Sequence, residues 1–503
     1  MKEKTRLHIK VIMLALLLLI TTMTMMAQVK MDGIYYHLHD ATRQATVTAG
    51  KVQYKGDIVI PDYITYHSIA YKVSAIDEKA FKECLWLNSV VLPNSILAIP
   101  DSLFNRCTNL TSVQLPKNLT NIGERTFNEC YDLQSIVIPS SVNSIGKYAF
   151  NECFNLKSIT IPNQITEIPE GAFYSCSNLK FVQFSQSLTN IAKKAFYDCG
   201  SLKSPSFPNT LKSICDYAFG ECTGMKSLRL PESLKTIGEG AFYHCTGLKS
   251  VTIPYSVDSI GNFIFRDCSN ITKIVVDVNN KVYDSRKKCN GVIHTATNTL
   301  IIGFKNTVIP KSVTTIGDWA YLGNSNIKTF VVPKHITKIG TSAFSNCFEL
   351  TTISIPESVT SIGKGAFRGC NKLTSAELPN SITSIADETF HSTGLKSCTI
   401  PESVTSIGTW TFQNCENLRE VTIGSNVKNI GWQAFYGCNH LNVVNNLSST
   451  PQNIMDDTFD DYWKLHVPSQ YKKAYQEANY WNKFKIMDIT AQNPVNNIKN
   501  SSK

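Results

Sequence analysis

Cysteine and lysine are the side chains whose number and spacing could support chemistry in this chain. Of its sixteen cysteines, all but Cys215, Cys289 and Cys398 stand three residues after a Phe, as in Phe173/Cys176, Phe196/Cys199 and Phe219/Cys222. In an exported protein such a count ordinarily means a disulfide framework. The interval argues otherwise, because the pairs recur every 23 residues and so occupy one position of a repeat. Thiols that point the same way on successive rungs have poor geometry for bridging. Buried free thiols acting as small apolar fillers are therefore expected. No CxxC or Cys/His cluster offers a zinc site.

Lysine follows the same interval at Lys157, Lys180, Lys203, Lys226 and Lys249, and a cation returns to that position at Lys328, Lys396 and Arg419. Rungs of a parallel sheet lie roughly 5 Å apart, so five ammonium groups in a column repel one another. Two readings stand. The lysines either flank a strand and keep it soluble, their stems splayed into solvent, or form an electropositive track for an anionic partner such as a sulfated or sialylated glycan or an acidic protein face. Other constellations are weaker. His37 and His39 alternate on one strand without a third ligand. Asp277, Asn279, Asn280 and Asp284 match no calcium-loop spacing and read as a turn-rich connector. Nucleophile-base pairs, glycine-rich phosphate loops and paired carboxylates are not apparent, so no catalytic residue and no cofactor are expected.

The scaffold that carries these side chains is legible in residues 156–178, LKSITIPNQITEIPEGAFYSCSN, a sentence that recurs through about 375 residues. A period of 20 to 29 with Leu and Ile at fixed offsets defines a leucine-rich-repeat solenoid, in which each coil buries its apolar side against its neighbours. The reading is about 15 coils of 23 residues, with one strand per coil forming a parallel sheet on one face. In the first segment Leu156, Ile159 and Ile161 face inward, and Pro162 ends the strand because it cannot donate to a ladder. A second extended piece buries Ile165 and Ile168, and a short helical turn should then place Ala172, Phe173 and Cys176 on one face as the plug of the coil.

Residues 1–27 read as a secretory signal peptide, with Lys2, Lys4, Arg6 and Lys10 ahead of an apolar core of about ten residues, too short for a transmembrane span. Its removal takes away four basic residues and one acidic one, lowering the net charge from +10 to +7, far below the density of a nucleic-acid binder. Residues 28–71 read as an N-terminal β cap and 72–445 as the solenoid, with a hairpin-like insert at 275–308 that should project from it. A small α/β cap, opened by a Ser469 helix cap, should occupy 446–490, and 491–503 read as a flexible tail.

The repeated LxSVxIPxSVxSIGxxAFxxCxNL, the insert VYDSRxxCNxxIxTATNTLIxGxxNTVIP and the flanks DGIYYHL and VPSQYKKAYQEANYWNKF resemble the BspA-like leucine-rich-repeat surface proteins of Bacteroidetes. That resemblance implies a secreted or outer-surface protein without catalytic residues, used for attachment to host matrix proteins, host cells or other bacteria. Glycan binding, to an anionic or mucin-type polysaccharide, is the alternative. On the outward positions Ser158, Thr160, Ser250 and Thr252 the repeat offers a flat hydroxylated face without aromatic anchors.

Overall fold

A computed structural model describes residues 28–489, so the segments read as a signal peptide (1–27) and a flexible tail (491–503) lie outside the described residues. The chain winds through about 17 turns of about 23 residues, two more than the Phe/Cys count suggests. It divides into two compact units, the first ending at Ser185 and the second running from Gln186, with 166–170 belonging to the second.

The first unit opens with β1 (Gln28–Met31), β2 (Ile34–His39), β3 (Gln44–Val47), β4 (Gly56–Val59), β5 (Tyr63–Tyr66) and β6 (Ile69–Ile76). Five of them form one sheet in the order β1-β2-β3-β6-β5. β4 leaves that sheet and pairs parallel with β7 (Leu87–Val91), so the segment read as a cap already supplies the first rung of the repeat. Tyr54 closes the ring column, its centroid 4.7 Å from that of Phe81.

Most later coils contribute two short strands rather than one, although the coils around 135 and 204 lack the first. Ser158–Thr160 pairs in parallel register with Phe181–Gln183 in the first unit, and Ser250–Ile253 with Lys273–Val276 in the second. The second extended piece makes its own ladder, for example Ser213–Ile214 with Thr236–Ile237. The single sheet expected from sequence is thus two, because Ile165 and Ile168, three residues apart, bury a second extended segment as effectively as the first buries Ile159 and Ile161.

The segment holding the plug is not a helical turn. Residues two before and two after the Phe are left-handed, as at Tyr217 (φ 53°) and Glu221 (φ 61°) around Phe219, or Gly240 (φ 55°) and His244 (φ 52°) around Phe242. A helix would turn these N–H groups back on their own turn. The alternation instead aims every second one at the next coil: Tyr217, Phe219 and Glu221 N–H donate to Glu239, Ala241 and Tyr243 O at 2.8, 2.8 and 2.7 Å. A left-handed non-glycine residue costs roughly 1–2 kcal/mol, and these backbone bonds offset that strain by satisfying buried polar groups. The third side of the regular coils is therefore also a backbone ladder.

Inside, the plugs stack. Within the first unit Phe81, Phe104, Phe127, Phe150 and Phe173 have centroids 5.2–5.4 Å apart. In the second, Phe196, Phe219, Phe242 and Phe265 lie 5.2–5.7 Å apart. After the insert the column resumes at Tyr321 and runs to Phe459, which Trp481 and Phe484 cover edge-on. All of the ladder residues Phe173, Cys176, Phe196, Cys199, Phe219 and Cys222 are fully buried. The cysteines do more than fill space. Cys107 Sγ donates to Phe81 O at 3.0 Å, Cys176 to Phe150 O at 3.1 Å and Cys222 to Phe196 O at 3.1 Å. Where the repeat has Thr393 instead, its hydroxyl contacts Cys415 Sγ at 3.2 Å.

The insert does not project. Val292–His294 and Thr299–Ile302 form the expected antiparallel hairpin, but its second strand pairs parallel with Thr315–Ile316, making the hairpin part of the second-strand sheet. Burial of Cys289, Val292, Ile293 and Leu300 explains why: the hairpin is as apolar inward as a coil. Asn280 is a connector residue, its Nδ2 donating to Pro254 O and Val257 O while its Oδ1 accepts from Val282 and Tyr283 N–H. Asp284 pairs with Arg286, and Asp277 accepts from Asn279 N–H.

At the end of the chain Lys464–Val467 and Lys485–Asp488 complete a sheet around the helix Lys472–Glu477. Ser469 makes no side-chain cap; it opens a 3-10 turn after Pro468, and the helix is fixed by burial of Tyr475, whose hydroxyl donates to Ser448 O.

Candidate interaction surface

The first-strand sheet turns alternate residues outward, and that alternation decides what a partner meets. In the first unit Ser89, Val91, Ser112, Gln114, Ser135 and Val137 line a groove of about 660 Å³. Hydroxyls alternate there with aliphatic groups, Val137 being 82 % exposed. Lys157 and Lys180 are exposed on adjacent rungs of this unit, tied by Lys180 N–H to Lys157 O at 2.9 Å. In the second unit Lys203, Lys226 and Lys249 are exposed on successive coils, Lys249 N–H donating to Lys226 O at 3.2 Å. Lys157, Lys180, Lys226 and Lys249 make no ion pair among the described residues.

Sequence reasoning missed two groups. Arg229 and Lys273 also point outward from the second unit's strands, opposite Thr252 and Ser250 respectively, and broaden the cationic column into a patch. Simple strand alternation applied to each coil finds both. The face also has an aromatic anchor after all: Phe181 stands where other coils carry Ser, directly opposite Ser158, and is 55 % exposed. Trp432 is 43 % exposed, whereas Trp410 is less available. Trp410 is half-buried against Trp432, centroids 5.4 Å apart, with its Nε1 donating to Gln433 Oε1. His37 and His39 sit on β2, where His39 Nε2 lies 3.0 Å from Thr46 Oγ1.

Electrostatics inside the coils are inert by contrast. Burial pushes the Cys84 thiol up to about 11 and those of Cys370 and Cys398 up to about 12, which leaves almost no thiolate for nucleophilic or metal chemistry at neutral pH. Glu388 differs: burial acts to raise its carboxyl, but Lys364 and Arg368 overcome it and hold the group below the usual carboxylate range. It serves as a structural ion-pair hub, with only 9 % of its side chain exposed.

Stacked parallel strands, an inward Leu/Ile/Phe/Cys column and a variable outward face define a leucine-rich-repeat scaffold, the class of protein that recognises partners by surface rather than by pocket. A family model for the BspA type leucine rich repeat region, in 6 copies, matches residues 74–203, 189–290, 300–419 and 383–502, and the chain belongs to that family. Comparison with curated proteins gives no match. Among solved structures, a leucine-rich repeat protein from Bacteroides ovatus is 25 % identical with a TM-score of 0.53, covering 92 % of this chain and all of its own. A leucine rich cell surface protein from Faecalibacterium prausnitzii is 26 % identical, TM-score 0.46, over 84 % of this chain and 94 % of its own. The pneumococcal vaccine antigen PcpA is 19 % identical, TM-score 0.38, over 92 % of this chain and 99 % of its own. The family is one of repeat scaffolds, and the match points to no catalytic family. Among the described residues no helix is long and apolar enough to cross a membrane.

Proposed function

We propose that the protein is an exported, surface-displayed adhesion scaffold without catalytic activity, which holds host matrix proteins, host cell-surface proteins or other bacteria on its first-strand face. The observation that carries this reading is the set of exposed lysines on successive rungs beside hydroxyl-bearing strands, Lys157 and Lys180 in one unit and Lys203, Lys226 and Lys249 in the other. Like charges held at rung spacing raise the local potential, and an anionic partner relieves that repulsion. Arg229 and Lys273 favour a second reading, in which the partner is an anionic glycan rather than a protein.

Replacement of all five lysines by Gln tests the proposal. Retention on heparin across a salt series should fall, with a shallower salt dependence, while the melting temperature stays unchanged. Unchanged retention would remove the cationic track from the proposal. A glycan array run beside a panel of matrix proteins separates the two partner classes: glycan binding without any protein partner selects the second reading.

A further inference from the structure

The insert leaves one unfilled place in the third-side ladder of the second unit. Gly240, Phe242 and His244 N–H donate to Asn262, Ile264 and Arg266 O at 3.0, 3.0 and 2.8 Å. One coil later the equivalent donors are Phe263, Phe265 and Asp267, but the next plug, Tyr321, comes 56 residues on instead of 23. The chain at 301–306 passes there first, and Gly303 N–H takes Ala320 O at 2.8 Å, the acceptor that Phe265 would otherwise use. Gly303 is required, because a Cβ there would lie 2.4 Å from the Tyr321 ring. The three N–H groups are left without a protein acceptor among the described residues.

Between them and the turn at 319–324 lies a cavity of about 80 Å³. A site for one water needs roughly 10–15 Å³, so this one accepts a group of several heavy atoms but not a folded partner. Its polar lining is rich in donors. Arg266 Nε is buried 3.3 Å from Asp267 Oδ2, an ion-pair contact whose angle leaves the N–H without a well-aligned acceptor. Lys305 adds a second cation at the lining against the single carboxylate of Asp267. Phe263 and Trp319, centroids 6.2 Å apart and edge to face, supply an apolar wall. Left-handed Phe263 (φ 40°) and Asp267 (φ 61°) hold the alternate amides on one side of the segment, as in the preceding coils.

We propose that this cavity binds a small organic carboxylate, its oxygens accepting from unfilled N–H groups of the 263–267 segment and from Arg266, and its carbon skeleton resting on Phe263 and Trp319. Burial raises the Asp267 carboxyl above its ordinary range despite Arg266, which lessens its repulsion of an incoming acid. The proposal does not rest on the lysine-edged face, although Thr272 of the lining donates its N–H to Lys249 O.

Titration calorimetry of the whole mature chain with acetate and with N-acetylneuraminate, at ionic strength held constant with chloride, tests the proposal. At least one probe should give saturable heat and slow hydrogen exchange of the amides at 263–267. Binding should weaken at least tenfold in Arg266→Gln with the melting temperature unchanged. Acetate binding assigns a free small acid and N-acetylneuraminate binding alone an acid carried on a sugar; either supports the site. Absence of saturable heat from both probes overturns the proposal, as does heat that neither slows exchange at 263–267 nor depends on Arg266.

Discussion

Truncating Phe219 to Ala probes the ring column directly. The ring is fully buried, 5.2 Å from Phe196 and 5.7 Å from Phe242, with Phe207 edge-on at 5.6 Å. Buried Phe→Ala substitutions cost about 3–5 kcal/mol, and the value depends on how far the surroundings can collapse into the space. Here they cannot. Phe196 N–H to Ala218 O and Phe219 N–H to Ala241 O, both 2.8 Å, fix the coil spacing from outside the core. The upper part of the range, about 4–5 kcal/mol, is therefore expected, a large share of a domain's usual stability of about 5–15 kcal/mol. Urea denaturation followed by circular dichroism should show the loss, and hydrogen exchange should localise it, because repeat arrays need not unfold in one step. Phe207→Ala, at the margin of the column, should cost less than half as much. Equal losses for the two variants, or an unshifted midpoint for Phe219→Ala, would refute the column as the main stabilising contact.

Other consequences are as accessible. A thiol reagent at neutral pH should label Cys215 first, the one half-exposed cysteine, and reach Cys370 and Cys398 only on unfolding, since burial holds both up to about 12; prompt labelling of a ladder cysteine would contradict this. Glu388→Gln should lower the urea midpoint at pH 7, where the native carboxylate faces Lys364 and Arg368. Because the folded carboxyl titrates below its unfolded value, its contribution is complete above the unfolded pKa and is lost as pH falls through the folded one. The difference between wild type and variant should therefore shrink in acid, and a constant difference would exclude the charge as its source. Trp481→Ala should uncover Phe459 and free the indole's acceptor, Gln452 O, accelerating amide exchange around Phe435 and Phe459 while coils near Phe344 stay protected.

The coil was readable because its inward residues repeat: Leu156, Ile159, Phe173 and Cys176 are each determined by the neighbour above and below, so one coil predicts the next. What escaped were features without a side-chain signature. The left-handed pair around each plug is occupied by residues as different as Gly, Glu, Arg, Lys, Asn, Tyr and Trp, so no residue type announces it; the backbone bonds between coils select it. The seating of the insert likewise depends on pairing of Thr299 with Thr315 across 16 residues, which period counting discards as irregular. The outward face was half legible, since the lysine column follows the repeat whereas Phe181, Arg229 and Lys273 depart from it.

The third-side ladder gives each unit a direction. Its N–H groups all point toward the following coil and its carbonyls toward the preceding one, so the donors of any coil wait for acceptors that come later in the chain. Synthesis from the N-terminus thus always exposes a donor edge, a template to which the next 23 residues can dock. The same polarity makes the two ends chemically unequal: the last coils must be closed by an acceptor, and the Asp460 carboxylate takes the Gly437 N–H where other coils use a backbone carbonyl. A chain cut at a coil boundary would therefore tolerate loss of its first coils better than loss of its last.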